Sequence, residues 1–164
     1  MTSTVRVVRL DGLERLPEAL AVIHGAFAEY RDTLVPPSAA LNETTGSLAR
    51  RLADGAVFLA EDTTEAVLGA VCAEIRPDMV YLDRLAVLPA ARGRGVASAL
   101  VAAVEAFAAG SGASSVTLGV RLALPGNIAM FGRIGYRESK RTAHPGFSEP
   151  TSMSMVKTVS ARQL

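Results

Sequence analysis

The sequence predicts a single-domain α/β (α+β) fold with a mixed, mostly antiparallel sheet of about seven strands, flanked by about four helices. Short β-branched runs alternate with stretches whose apolar residues recur at helical spacing. Three consecutive strand-like runs are separated only by short turns, which is typical of an antiparallel meander. A strand, a glycine-rich loop and a helix then lead into a further strand, and this crossover predicts that strands four and five are parallel neighbours.

The first half of the chain reads as strand, helix, loop, helix and meander. Residues 5–10 are β-branched, and the helical spacing that follows carries Pro17 in its first turn and ends near Tyr30. Two prolines argue against regular structure before a second helix, which either Asn42 or Thr44 caps. The strands of the predicted meander are residues 56–61, 66–75 and 80–88.

The second half supplies the crossover and the far side of the sheet. A helix runs from Val96 to about Ala109, a strand starts at Ser115, and a short helix ends with Gly135 in the C′ position. A strand to about Arg141 and an alternating strand over residues 151–159 complete the chain. The predicted order of elements is therefore βααβββαβαββ.

Composition bounds the class of protein. The 164 residues are 49% hydrophobic, so we expect one domain over residues 1–160 with a short tail at 161–164. A net charge of +1 argues against a nucleic-acid partner and against an anionic membrane surface. The sequence lacks a signal-like N-terminus and an apolar run of membrane length, so we expect a cytoplasmic protein. The single cysteine, Cys72, and two histidines predict neither an internal disulfide nor a metal site.

The stretch LAVLPAARGRGVAS, residues 85–98, is the clearest candidate for a binding site. An apolar strand ends there, and Gly93 and Gly95 lead directly into a helix. A glycine-rich turn exposes backbone N–H groups, and a helix start adds unpaired donors and the positive end of its dipole. A phosphate at this loop would be met by amides, with Arg92 and Arg94 beside them.

Two common phosphate motifs fit this loop poorly. A P-loop requires a lysine after its second glycine, and a dinucleotide fingerprint requires a third glycine where Ser98 stands. The pattern RxxGxA, read from Arg92, Gly95 and Ala97 after LAVLP, instead resembles the coenzyme-A-binding motif of the GNAT family of N-acyltransferases. The later segment LPGNIAMFGRIGY resembles the second motif of that family, and the predicted order of elements is the family's topology.

The resemblance implies that acetyl-CoA is the co-substrate and that no metal takes part. In the family, the strand before the loop pairs with the pantetheine arm, and the loop amides hold the pyrophosphate. The pantetheine strand corresponds here to Leu85, Ala86 and Val87. The pyrophosphate amides correspond to Gly93, Arg94, Gly95, Val96, Ala97 and Ser98. By the same resemblance, Asn127 and Phe131 flank the pantetheine end, and Arg133 reaches a phosphate.

The family's chemistry is direct transfer of an acyl group from a thioester to an amine. An alkyl amine with a pKa of about 10 is only roughly one part in a thousand neutral at pH 7, so a base helps to form the nucleophile. If the turn at Pro77-Asp78 is two residues long, Cys72 lies opposite Asp83 and Glu74 lies opposite Tyr81. We therefore predict Asp83 as the base, through water, with Glu74 second and Tyr81 as a further catalytic candidate.

Asp83 also has a structural interpretation. Its carboxylate could instead pair with an arginine, such as Arg76 or the Arg84 of a neighbouring molecule. Many family members carry a tyrosine that protonates the departing thiolate, whereas this chain has Phe131 in that position, and Tyr136 is typical of a core residue. Because a thiolate with a pKa of about 8.5 is a tolerable leaving group, we expect transfer to be slower rather than abolished.

Acceptor recognition in the family falls to loops on the rigid sheet. The corresponding candidates for substrate binding are Tyr30, Ser38, Glu43 and His144. Three hypotheses follow from the resemblance: an N-acetyltransferase acting on a small primary amine, which we favour, the same reaction on a protein or peptide amine, and an acyl-CoA-binding sensor without turnover. The expected partner is a small-molecule amine, and a homodimer is an assembly common in the family.

Overall fold

The structure is a computed structural model that describes residues 4–160. These residues form seven strands and four α-helices in the predicted order. The strands are β1 (Arg6–Arg9), β2 (Gly55–Glu61), β3 (Val67–Ile75), β4 (Met79–Val87), β5 (Ser115–Arg121), β6 (Arg137–Thr142) and β7 (Ser152–Thr158). The helices are α1 (Leu16–Phe27), α2 (Thr45–Ala53), α3 (Val96–Gly110) and α4 (Pro125–Arg133). The predicted fold class is confirmed.

The strands belong to one sheet in the order β1-β2-β3-β4-β5-β7-β6. The pairs β1–β2, β2–β3, β5–β7 and β6–β7 are antiparallel. The predicted two-residue turn between β3 and β4 is present, since the amide of Arg76 donates to the carbonyl of Met79 at 2.9 Å. β4 and β5 are neighbours in this order, and their parallel direction stays a prediction.

The chain divides into two compact units. The first unit consists of Met1–Ile75 and Leu82–Val104, and the second of Arg76–Tyr81 and Glu105–Leu164. The single domain over residues 1–160 therefore stays a prediction. Residues 1–3 and the predicted tail, 161–164, lie outside the described residues.

The first unit has its core between α1, α2 and the strands β2 and β3. Fully buried apolar side chains from all four elements form it, among them Ile23, Leu48, Leu59 and Ala70. α1 begins with a proline in its first turn, as predicted. α2 begins with a capping box, in which the hydroxyl of Thr44 accepts from the amide of Ser47 at 3.0 Å and the hydroxyl of Ser47 accepts from the amide of Thr44 at 2.8 Å. Thr44, rather than Asn42, is therefore the cap.

The segment between α1 and α2 is more regular than the sequence suggested. Residues Ala39–Asn42 form a short 3-10 helix. Leu34 is 5% exposed and Ala40 is fully buried. The expectation that prolines exclude regular structure here was wrong, because apolar side chains anchor the segment on both sides of Pro36 and Pro37.

In the second unit, α4 ends as its glycine predicts. Gly135 has a φ of +104°, a left-handed conformation in which a glycine is favoured. The amide of Gly135 donates to Gly132 at 3.2 Å, and the amide of Tyr136 donates to Phe131 at 3.0 Å. These two bonds are a Schellman motif, and they turn the chain into β6. No helix among residues 4–160 is long and apolar enough to cross a membrane.

Candidate active site

The glycine loop in the first unit is open and lined with amides. Gly93 and Gly95 both have a φ of +78°, and both are exposed. A Cβ added to either glycine would meet no other heavy atom within 4 Å. The amide of Ala99 donates to the carbonyl of Gly95 at 3.0 Å, so α3 starts there and the amides before Ala99 precede the first helical bond. With the helix dipole behind them, these amides fit a pyrophosphate.

Arg92 lies beside this loop and is engaged by the end of the first helix. Its guanidinium donates to the carboxylate of Glu29, and the side chains are 44% and 40% exposed. The hydrogen bond raises the pKa of Arg92 and lowers the pKa of Glu29. Burial and then the charge of Glu29 raise the pKa of Tyr30. Glu29 therefore interacts both with Tyr30, which is predicted to bind the acceptor, and with Arg92, which is predicted to bind the cofactor.

The predicted pantetheine strand forms the last part of β4. Ala86 is 1% exposed, while Leu85 and Val87 are half-buried. Immediately before them, Arg84 has a φ of +54°, which is rare for a residue with a side chain and is typical of a bulged strand. The strand that is predicted to meet acetyl-CoA thus starts at a strained residue.

An ion-pair cluster of Glu43, Arg51, Asp83 and Arg84 surrounds this strained residue. The carboxylate of Glu43 accepts from Nε of Arg51 at 3.0 Å and from Nε of Arg84 at 2.8 Å. The carboxylate of Asp83 accepts from Nη1 of Arg51 at 2.8 Å and from Nη1 of Arg84 at 3.3 Å. Each guanidinium therefore bridges both carboxylates, and the cluster is closed and neutral.

Glu43 is the most enclosed member of the cluster. Its side chain is 4% exposed, and burial acts to raise its pKa. Hydrogen bonds from Ser47, Arg84 and Arg51 outweigh burial, so the pKa of Glu43 lies below its ordinary value. We predicted Glu43 as a residue that contacts the acceptor. The carboxylate is buried and accepts from three side chains, and its role toward the acceptor stays a prediction.

The contacts of Asp83 match the structural interpretation rather than the catalytic one, with different partners. Its oxygens accept from Arg51 and from Arg84 of the same chain. Pairing with an arginine was expected, but the sequence did not suggest Arg51 or the Arg84 of the same chain as the partners. A third bond, from the backbone amide of Arg84 at 3.0 Å, leaves this carboxylate holding three donors. An amine would therefore have to displace one of these three donors to reach the carboxylate.

Ser38 and Cys72 have structural roles in the first unit. The hydroxyl oxygen of Ser38 accepts from the amide of Ala40 at 3.2 Å and so caps the 3-10 helix. Such a local bond is typical of a serine at a helix start, and the role of Ser38 toward the acceptor stays a prediction. Burial raises the pKa of the Cys72 thiol to about 12, so the side chain stays neutral and packs as a small apolar group.

Tyr81 belongs to the second unit, where the guanidinium of Arg76 lies over its ring, 4.2 Å from the centroid. A Cβ added to Gly119 would lie 2.9 Å from the Tyr81 hydroxyl oxygen. A larger residue at position 119 would therefore shift this hydroxyl or the backbone beside it.

α4 and the β6–β7 loop carry the other predicted residues of the second unit. Asn127 and Arg133 are exposed, as binding residues require. Phe131 is 6% exposed, and its ring meets the ring of Tyr136 edge-on at 5.7 Å. This ring packs in the core of the second unit, and its place beside the cofactor stays a prediction.

Tyr136 was predicted as a core residue and His144 as a residue of the acceptor site, and their surroundings differ. Tyr136 is 3% exposed, and its hydroxyl donates to Glu105 at 2.9 Å. His144 is half-buried, and its backbone amide donates to the hydroxyl of Thr151 at 2.9 Å. Burial and the positive charge of Arg121 lower the pKa of His144, so its ring is neutral at pH 7. Tyr136 is a core residue, and His144 stays a candidate for the acceptor side.

Sequence reasoning missed Arg51 and Glu29 and assigned Arg84 to a different contact. The pairs Arg51–Asp83, Arg84–Glu43 and Glu29–Arg92 join residues 32, 41 and 63 positions apart, so no local spacing could mark them. The adjacent arginines at positions 50 and 51 were the only local sign, since a helix places one of two neighbours toward the sheet. Among residues 4–160, no group of three or more His, Cys, Asp or Glu side chains could hold a metal ion.

Comparison with known protein families matches most of this chain to one family model. Residues 23–136 match the model of the acetyltransferase (GNAT) family. A segment of 64 residues, 39% of the chain, is 38% identical to the N-alpha-acetyltransferase MAK3 of Arabidopsis thaliana, and it covers 34% of that protein. The matched segment thus spans about a third of the curated relative.

Two solved structures have a similar fold. The PaiA N-acetyltransferase of Thermoplasma acidophilum, in complex with coenzyme A, superposes with a TM-score of 0.77 at 14% identity, over 94% of this chain and 99% of that chain. The ribosomal-protein-S18-alanine N-acetyltransferase of Escherichia coli gives a TM-score of 0.74 at 17% identity, over 98% and 97% of the two chains. At these identities the two structures bear on the fold and not on the substrate.

Proposed function

Because the chain belongs to the acetyltransferase (GNAT) family, we propose that it moves the acetyl group of acetyl-CoA directly onto a primary amine of a small molecule, in the cytoplasm. The observation that carries the proposal is the exposed glycine loop at the start of α3, with Gly93 and Gly95 at positive φ. Acetyl-CoA supplies an activated acetyl thioester to family members. The residues of this chain bind and orient acetyl-CoA, and they remove the proton of the amine.

The proposed cofactor site uses backbone groups more than side chains. The amides from Gly93 to Ser98 hold the pyrophosphate, and Leu85 to Val87 hold the pantetheine arm. Arg94, in the same unit as the loop, is a polar side chain that adds to this site. The cofactor roles of Asn127 and Arg133, in the second unit, stay predictions. Arg92 adds to it when its ion pair with Glu29 opens toward a phosphate, which offers a bidentate alternative to the carboxylate.

Proton removal from the amine is proposed to fall to Glu74, the second candidate base. The carboxylate of Asp83 already accepts from three donors, and an amine would have to displace one of them to reach it. Tyr81, whose ring lies under the guanidinium of Arg76, carries the hydroxyl that is proposed to relay a proton in place of the tyrosine that Phe131 replaces.

Glu74→Gln is expected to lower kcat about 100-fold while leaving the KM for acetyl-CoA unchanged, because general-base catalysis contributes on this scale. Steady-state kinetics with a saturating amine measures both constants. Glu138→Gln, at an exposed carboxylate paired with Arg141, is the matched control and should keep both constants. A kcat within threefold of wild type in Glu74→Gln would remove this residue from the proposal.

Gly119→Ala is expected to reduce kcat as much as Tyr81→Phe does. The added methyl group comes within 2.9 Å of the Tyr81 hydroxyl, so the hydroxyl must move by a few tenths of an ångström or more. Gly110→Ala, where a Cβ meets no heavy atom within 4 Å, should leave kcat unchanged. Full activity in Gly119→Ala together with a strong loss in Tyr81→Phe would show that the hydroxyl does not need its position on β5.

A small acceptor is favoured by the packing of the segment between α1 and α2. Leu34, Ala40 and Glu43 anchor this segment by burial, and His24 adds a contact of 2.9 Å between its Nε2 and the carbonyl oxygen of Glu43. We propose that this segment forms one wall of the acceptor site. A segment anchored by three buried residues suits a closed site better than an open groove for an extended peptide.

A protein or peptide amine is the second candidate, because one similar protein is named an N-alpha-acetyltransferase. Comparison of kcat/KM for small amines and for peptides with a free α-amino group separates the two. We expect small amines to exceed peptides at least tenfold, and the reverse order would establish the second candidate.

A further inference from the structure

We propose that Asp83 and Glu43 are positioning residues, which act through Arg51 and Arg84 to fix the bulge from which the acetyl-CoA-binding part of β4 runs. This inference rests on the proposed function, since it concerns the same cofactor strand. The role of the ion-pair cluster is then distinct from the cofactor binding of the glycine loop and from the proton removal by the proposed base.

The bulge is visible in the pairing of β3 with β4. Arg76 pairs with Met79 next to the turn, and the amide of Leu88 donates to the carbonyl of Leu68 at 3.0 Å at the far end. Nine residue steps of β4 therefore run against eight steps of β3, which is the signature of one inserted residue. Arg84, at a φ of +54°, marks where the insertion lies.

A left-handed residue with a long side chain persists only where its surroundings hold it. Here Asp83 does so directly, because its carboxylate accepts from the backbone amide of Arg84 at 3.0 Å. This bond satisfies a backbone donor in the bulge. The same carboxylate also accepts from the guanidinium of Arg84, so backbone and side chain of one residue are tied to a single group.

Glu43 holds the opposite side of the cluster. Its buried carboxylate accepts from Nε of both Arg51 and Arg84, and the hydroxyl of Ser47 also donates to it. Arg51 stands on α2, and Glu43 ends the segment that is proposed to form the acceptor wall. The cluster therefore links that wall to the bulge, and loss of either carboxylate leaves two guanidiniums with one partner.

The consequence lies at Leu85, Ala86 and Val87, which follow the bulge directly. If the cluster fixes the bulge, Asp83→Asn and Glu43→Gln should have the same effect, although only Asp83 was a candidate base. Glu61→Gln is the matched control. Glu61 is also a buried carboxylate bound by two arginines, Arg6 and Arg15, but it lies on β2 away from the bulge.

The first measurement is hydrogen exchange of the free protein at residues 85–87, which needs neither substrate nor turnover. We expect exchange to accelerate at least tenfold in Asp83→Asn and in Glu43→Gln, beyond any change at residues 68–72 of β3. Glu61→Gln should show no such local difference. Unchanged exchange at residues 85–87 in both cluster variants would overturn the proposal.

Kinetics provides the second measurement. A positioning role predicts that both variants raise the KM for acetyl-CoA about tenfold, with similar size, and that their combination adds little to either one. A 100-fold fall in kcat in Asp83→Asn with normal constants in Glu43→Gln would instead make Asp83 the base. If wild type shows no turnover, the proposed function fails, while the exchange result still decides the positioning role.

Discussion

Gly95→Trp is expected to abolish measurable binding of acetyl-CoA, with a Kd raised at least 100-fold. The glycine is exposed at the start of α3 with a φ of +78°, and a Cβ there points into open space. An indole would fill the space that the pyrophosphate is proposed to occupy, and its backbone would resist the left-handed conformation that aims the loop amides. Calorimetric titration with acetyl-CoA measures the loss.

Gly112→Trp separates this effect from simple backbone strain. Gly112 has a φ of +81° and likewise no heavy atom within 4 Å of an added Cβ, but it lies in the turn after α3. The two variants should lose similar thermal stability, and only Gly95→Trp should lose binding. Wild-type affinity in Gly95→Trp would contradict the assignment of the glycine loop.

Glu61→Gln is expected to lower the free energy of unfolding by about 2 kcal/mol, which corresponds to about 4 to 8 °C in Tm. The side chain is 1% exposed, and it accepts from Arg6 and from Arg15, the latter at 3.0 Å. An amide weakens both charge-assisted bonds and cannot rebuild them. Urea unfolding at pH 7 measures the loss, and Glu138→Gln, at an exposed ion pair, should show none.

The same carboxylate predicts how stability depends on pH. The hydrogen bond from Arg6 is the largest cause that lowers the pKa of Glu61, and burial opposes it. A pKa lower in the folded state than the ordinary value of 4.5 means that stabilisation is present above about pH 4.5 and is lost as pH falls through the folded value. Glu43 acts in the same direction, so Glu61→Gln should reduce the acid loss without removing it. An acid limb identical to that of wild type would contradict this assignment.

Signals that lie within a few residues of each other predicted the fold well. The capping box at Thr44, the C′ glycine at Gly135 and the two-residue turn before Met79 each depend on neighbouring residues. The lengths of the connections predicted the meander and the neighbours β4 and β5, whereas the place of β7 between β5 and β6 was not predicted. Such features need no knowledge of distant parts of the chain, which is why pattern and turn chemistry were sufficient.

The part of the candidate site that consists of backbone amides could be predicted from the sequence, whereas its ion pairs could not. The glycine loop could be identified because two glycines before a helix leave the backbone amides of the turn uncovered. Glu43–Arg84 and Glu29–Arg92 join residues that only the folded chain brings together. The left-handed conformation of Arg84 was equally hidden, because nothing in an arginine favours it and the cluster around it imposes it.

The measurement that tests the account most directly is the release of free thiol from acetyl-CoA in the presence of a panel of small amines and peptides, by wild type and by Gly95→Trp. We predict saturable release that requires a small amine, that yields the acetylated amine, and that disappears in the variant. Acetyl-CoA binding by wild type without thiol release for any acceptor would contradict the enzyme and favour a sensor. Equal release by wild type and variant would contradict the role of the glycine loop.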